Sequence, residues 1–266
     1  MHTVRSHTVA RLMPTDPFFY LVGLSAVFLM SLARGAFGGG LAILGAPVLA
    51  LVVDPITATM MMAPVVSASD PFAVWAFPPR TWSWPDVMWL VPGMLLGLGI
   101  GALFFVTIDP RVVALAIAVV TLWFTARWFV HGRNTATTGA PVSPTKAIAC
   151  GAASGFTTFI AHAGNPPIAF YLLPRGLPIT VFAGTVTAIF LVSNSVKLAL
   201  YLWLMAADLK VLVMAAVLMP AIPLGIWAGK LLHDRIDPDR LYLACYVLLG
   251  ITGLKLFIDS LRALIV

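Results

Sequence analysis

Hydrophobic positions along this chain fall into long blocks rather than alternating stripes. Apolar or small residues fill 18–33, 41–53, 56–78, 87–107 and 111–130, and then 146–160, 164–173, 179–205, 209–231 and 240–262. Blocks that are apolar on every side read as helices surrounded by lipid or by other helices. A bilayer crossing needs about 20 apolar residues, and the first two blocks of each series fall short of that. Residues 18–53 drawn as one helix would run about 54 Å, well beyond a ~30 Å hydrocarbon core. Each series is therefore predicted to open with a short helical hairpin, re-entrant or barely spanning, followed by three transmembrane helices.

The two series repeat one another. At an offset of 128, Pro92, Gly97, Gly101, Ile108, Asp109 and Pro110 return as Pro220, Gly225, Gly229, Ile236, Asp237 and Pro238. At an offset of 123 the "PIT" at Pro55 returns at Pro178, and at 120 Gly35 and Pro47 return as Gly155 and Pro167. The basic start and apolar stretch of residues 1–36 superficially match a secretory signal peptide. The repeat argues against cleavage, because the opening block has a partner in the second half. Whether the hairpin legs turn back or just cross, each half makes an odd number of net crossings, so the second half enters inverted. The expected fold is an all-α integral membrane protein built from two inverted-topology repeats.

Composition agrees and narrows the function classes. The chain is 61% hydrophobic and 10% charged, against roughly 25% charged residues in a soluble domain. It contains no Glu, and nine of its ten Asp residues lie near the ends of apolar runs; Asp70 is the exception. The net charge of +6 reads as topology-setting Arg and Lys facing anionic lipid rather than as a nucleic-acid surface. Cys150 and Cys245 both sit in apolar runs and offer neither a disulfide framework nor metal-ligand spacing. No cofactor or metal is expected. No His/Asp/Glu or Ser/His/Asp constellation converges at any depth, so the chain is not expected to be an enzyme.

Four regions follow: a polar tail at 1–17, a first repeat at 18–130, a linker at 131–145 and a second repeat at 146–262. With the N-terminus on one side, eight basic residues (Arg80, Arg127, Arg133, Lys146, Arg175, Lys230, Arg235, Arg240) fall on the other side and six remain with the N-terminus. The excess marks the linker side as cytoplasmic and both termini as outside. Trp82, Trp84 and Trp89 read as interfacial anchors.

Two basic residues stand outside that count, Arg34 and Lys197. Arg34 is expected at the tip of the first hairpin, where Gly38, Gly39 and Gly40 let the backbone unwind and approach a ligand. Freed N–H groups beside a guanidinium, at the start of a half-helix, make an anion site. The matching second tip, "SGFTTFIAHAGNPP", supplies Thr157, Thr158, His162 and Asn165. In the third blocks, "SASDP" with Ser67, Ser69 and Asp70 is expected to interrupt the helix at Pro71. An offset of 123 maps Asp70 and Pro71 onto Ser193 and Asn194, with Lys197 one turn on. Polar residues at matched breaks point to a transporter's binding site. Arg34, Gly38, Gly39, Gly40, Thr158, His162, Asn165, Asn194 and Lys197 are thus the candidate substrate ligands, with Asp70, Ser67 and Ser69 as coupling or gating residues.

Plainer readings stand beside these. The glycines also suit tight helix packing. Arg34 and Lys197 would snorkel if the segment boundaries lay a few residues away. Asp70 equally fits a structural ion pair with Lys197, and His162 a hydrogen-bonded packing residue.

The first hairpin ending in "GAPVLALVVDP", the second hairpin "SGFTTFIAHAGNPPIAFYLLPRGLP" and the following "PITVFAGTVTAIFLVSNSVKLALYLW" resemble the sulfite exporter TauE/SafE family over nearly the whole chain from about residue 18. The resemblance implies a bacterial inner-membrane exporter of sulfite, sulfoacetate or a related organosulfonate, working by alternating access with a midplane site at the two hairpin tips. Related thiosulfate-uptake proteins use cysteines along the path, and none stands at these tips. Arg34 and His162 depart from common family patterns. A proton-coupled transporter of another small anion and a structural or assembly subunit remain as alternatives. The implied partners are a small anion and the lipid bilayer, with a second copy of the chain left open.

Overall fold

The computed structural model describes residues 17–37, 45–107, 110–131, 139–162, 164–204 and 209–233, with scattered positions between 247 and 262. Among these residues the structure is helical and contains no strand. The helices are α1 (Pro17–Phe37), α2 (Gly45–Leu49), α3 (Pro55–Ala76), α4 (Trp84–Thr107), α5 (Pro110–His131), α6 (Pro144–Ala161), α7 (Asn165–Leu172), α8 (Ile179–Leu204), α9 (Leu209–Leu218) and α10 (Ala221–His233). The segments Pro17–Ala36, Trp84–Phe104, Ile179–Trp203 and Lys210–Leu232 are long and apolar enough to cross a membrane. Trp203, Leu103 and Val130 are 79%, 76% and 74% exposed, an apolar exterior that suits lipid.

Local chemistry sets several boundaries. Asp54 caps α3 by accepting the Thr57 N–H at 3.0 Å, and Pro55 occupies the first helical turn, where a missing N–H costs nothing. α6 ends where His162 turns left-handed at φ 51°, its N–H reaching the Thr157 and Thr158 carbonyls. Ser154 Oγ donates to the Gly164 carbonyl at 2.5 Å and holds the turn into α7. With eight residues, α7 rises only about 12 Å and cannot cross a bilayer by itself.

Three sequence expectations are corrected here. Arg34 does not sit at an unwound tip, because α1 continues through it to Phe37. The third blocks are not interrupted: α3 runs unbroken through Pro64 and Pro71, and α8 through Ser193 and Asn194. Proline inside a membrane helix is tolerated where local adjustments and neighbouring groups make up for the missing N–H, and Arg34 donates to the Val66 carbonyl in the turn before Pro71. The block 209–231 divides into α9 and α10 at Met219–Pro220, where proline removes a helical N–H. Most of the predicted block 240–262 lies outside the described residues.

Packing exchanges the fourth blocks between the two halves. α10 lies along α1, α4 lies along α6, and α3 meets α8. Two buried apolar clusters result. Met30, Leu49, Met61, Leu218 and Ile222 belong to one; Leu90, Met94, Ile168, Leu172 and Ile189 belong to the other. The repeated glycines form both exchanged contacts. A Cβ on Gly97 would collide with the Ala152 carbonyl and the Phe156 nitrogen, and one on Gly225 with the Phe28 carbonyl and the Leu32 nitrogen. A Cβ on Gly229 would collide with the Leu32 carbonyl, and one on Gly101 would press on the Phe159 side chain with the Phe156 carbonyl in ordinary contact. These contacts relate α1 to α6 at an offset of 124, one helical turn from the 120 that Gly35 and Gly155 suggest. By that register Arg34 corresponds to Thr158.

Candidate functional site

The polar residues inside the apolar runs converge where α3 and α8 meet. Arg34, on the last turn of α1, is 1% exposed and reaches α3. Its Nη1 donates to the Val66 carbonyl at 3.1 Å and to Ser69 Oγ at 2.6 Å, and its Nη2 forms an ion pair with Asp70 Oδ1. Ser69 Oγ also donates to the Val66 carbonyl. Asn194 Nδ2, from α8, donates to both Asp70 oxygens at 3.1 and 3.2 Å, and Ser67 Oγ returns a bond to the Asn194 carbonyl at 3.2 Å. The structural pair weighed for Asp70 therefore exists, with Arg34 as its partner rather than Lys197. Among the described residues Arg34 Nε and Asn194 Oδ1 are buried without a hydrogen-bond partner.

One turn along α8 a second cluster forms. Lys197, 1% exposed, places its Nζ 3.0 Å from His162 Nδ1 and 3.5 Å from Thr158 Oγ1. His162 Nε2 is 3.0 Å from the Thr59 carbonyl on α3. A carbonyl only accepts, so Nε2 carries the proton; an ammonium only donates, so Nδ1 accepts from it. That assigns a neutral imidazole oriented by α3 and a lysine held by neutral acceptors. Among the described residues no carboxylate lies within salt-bridge distance of Lys197. Tyr201, one further turn along α8, donates to the Phe159 carbonyl and stacks on the Phe159 ring at 4.7 Å, closing this end of the cluster.

Most candidates from the sequence are thus brought together: Arg34, Ser67, Ser69, Asp70 and Asn194 in one cluster, Thr158, His162 and Lys197 in the other. Asn165 begins α7, next to the turn that carries His162. Gly38, Gly39 and Gly40 lie outside the described residues.

Sequence reasoning missed the Thr59 carbonyl and Tyr201, for which no motif exists. It also missed a separate cluster at the start of α4. Asp86 is fully buried there, paired with Arg175 Nε at 3.0 Å, and accepts from Tyr171 and Ser83. Arg175 also donates to the Ala140 carbonyl, tying the end of the linker to this helix start. The "SWPD" at Ser83 to Asp86 is a capping-box pattern ahead of an apolar run and was the available signal.

Long apolar helices that bury a polar cluster containing two cations and a carboxylate define a multi-pass membrane protein whose interior is built to meet charge. The family model described as sulfite exporter TauE/SafE matches residues 23–256. The chain belongs to that family, whose members are membrane transporters of sulfur anions. Comparison with curated proteins and with solved structures gave no match.

Proposed function

We propose that this protein exports a small sulfur-containing anion, sulfite or an organosulfonate, by alternating access around the cluster where α3 and α8 meet. The observation that carries the reading is the charge balance of that cluster. Arg34 is paired with Asp70, whereas among the described residues Lys197 has hydrogen-bond contacts with the neutral Thr158 and His162 and no carboxylate within salt-bridge distance. A buried ammonium without a counter-ion is costly, and an anion seated beside it removes the cost. Thr158 supplies a hydroxyl donor, and Arg34 Nε remains as a further N–H. Export needs no coupling ion, since a monovalent anion leaving an inside-negative cell gains roughly 2.3 kcal/mol per 100 mV.

In this reading the two halves are inverted repeats that rock about the α3–α8 contact, and the exchanged α1–α10 and α4–α6 packing makes each moving body a mixture of both halves. The protein resides in a bacterial inner membrane, with the linker residue Arg133 in the cytoplasm and both termini outside. Reporter fusions at the two termini test this; reports from opposite sides would overturn the inverted arrangement.

The site itself is tested by ligand-induced thermal stabilisation of purified full-length protein. Sulfite should raise the melting temperature in proportion to its binding, and dimethyl sulfone, a neutral control, should not. Lys197→Gln should abolish the sulfite effect while the protein remains folded. Undiminished stabilisation of that variant would remove Lys197 from the site.

A further inference from the structure

The charges of the buried cluster also carry a statement about the valence of the transported anion. Among the described residues the buried acidic and basic side chains are Arg34, Asp70, Asp86, His162 and Lys197. Asp86 belongs to the other cluster, paired with Arg175. The hydrogen bonds of His162 assign it a neutral ring. Arg34 and Lys197 against Asp70 then leave one positive charge in excess. Asp70 is fixed from two helices, by Arg34 on α1 and by Asn194 on α8. Its carboxylate is therefore held in place as part of the charge that an entering anion meets.

We propose that the site is selective for monoanions, and that Asp70 is the residue that sets this valence. The proposal rests on the anion-site reading above and adds to it which class of sulfur anion is accepted. A sulfonate monoanion brings the cluster to neutrality. A dianion of the same size leaves one negative charge uncompensated among apolar helices, where charges are weakly screened. Asn194 is a positioning residue in this scheme. Its amide holds the carboxylate toward α8 and keeps Asp70 within the field of the site rather than turned wholly into the Arg34 fork.

The test uses two anions matched in size and differing in charge, 2-hydroxyethanesulfonate and sulfoacetate, with the purified full-length protein. Binding is measured by calorimetry at a pH where the second compound is a dianion. The wild-type protein should prefer the monoanion by about tenfold or more, the scale of one unit charge acting over several ångströms in a partly screened interior. Asp70→Asn raises the excess charge by one without changing shape, and should move the preference toward the dianion by at least about tenfold. Asp70→Glu retains the charge and should retain the monoanion preference.

A wild-type protein that binds sulfoacetate as tightly as 2-hydroxyethanesulfonate overturns the valence inference while leaving the anion site standing, and this comparison needs no variant to fold. A folded Asp70→Asn protein with an unchanged preference removes Asp70 as its cause. Absence of binding by either anion removes the site, and the inference with it.

Discussion

The two halves of the chain bring a cation to the same part of the core by opposite routes. In the first half Arg34 reaches from α1 to the carboxylate of Asp70 on α3; in the second Lys197 reaches from α8 to the neutral Thr158 and His162 on α6. The packing register pairs Arg34 with Thr158, so each hairpin helix turns the same position toward the long helix of its half. One half carries a closed ion pair there, and the other an ammonium with no carboxylate within salt-bridge distance among the described residues. The glycine contacts, by comparison, keep one register: Gly97 meets Ala152 and Phe156 as Gly225 meets Phe28 and Leu32. The two halves thus share the glycines that let helices approach and differ in the charges they bury. A cluster with perfect symmetry would be either fully paired or doubly charged, and neither suits a single anion.

The largest break in this comparison comes from Asp70→Ala. It strands the buried Arg34 guanidinium and should cost about 3–5 kcal/mol of stability, measured by unfolding in detergent. Replacing both partners, Arg34→Met with Asp70→Leu, should restore much of the loss, because an apolar pair leaves no orphaned charge. A single Asp70→Ala variant as stable as wild type would show that the pair does not matter.

Next come the glycines that the halves share. Gly97→Ala and Gly225→Ala each press a methyl group onto backbone of the facing helix and should each cost ~1–3 kcal/mol. Gly99, where an added Cβ meets nothing within 4 Å, should accept Ala with a change within about 0.5 kcal/mol. Equal effects at Gly97 and Gly99 would rule out the exchanged packing of α4 on α6.

Lys197→Met should act in the sense opposite to Asp70→Ala. Removing an ammonium that has no carboxylate partner leaves the ligand-free protein unchanged or more stable by up to ~1 kcal/mol. A destabilisation comparable to that of Asp70→Ala would mean that the two clusters are electrostatically alike. The smallest effect belongs to Thr158→Val. It removes a hydroxyl standing 3.5 Å from Lys197 Nζ and should cost about 0.5 kcal/mol, the low end for a hydrogen bond. Its consequence for sulfite stabilisation should be visible all the same, since that hydroxyl is one of the few donors beside the ammonium.

Legibility in the sequence differed by residue and for physical reasons. The turn between α6 and α7 was plain, because "AHAGNPP" joins a residue type that tolerates the left-handed region to glycine and to prolines suited to a helix start. The members of the buried clusters were plain as well, since an ionisable group inside an apolar run is rare enough to be noticed singly. Their partners were not. Asp70 pairs with Arg34, 36 positions away, and whether that side chain or Lys197 arrives depends on which helix lies alongside. Proline also misled. Pro71 stays within α3, whereas Pro220 divides α9 from α10 and its match Pro92 stays within α4. The residue is the same in each case, so proline alone does not decide whether a helix continues.

The sequence by itself determined the solvent of this protein, its helical class, its two-fold repetition and the identity of the few polar groups its core must accommodate. Each of these follows from composition and spacing along one chain, and a bilayer punishes exceptions. The tertiary structure alone decided the exchange of α4 and α10 between the halves, the packing register one turn from the apparent repeat, and the division of eight polar side chains into one cluster closed by an ion pair and another built around a lysine. Those are properties of contacts between distant segments, where a glycine admits a backbone or a guanidinium finds a carboxylate, and no local pattern encodes which segment will be there.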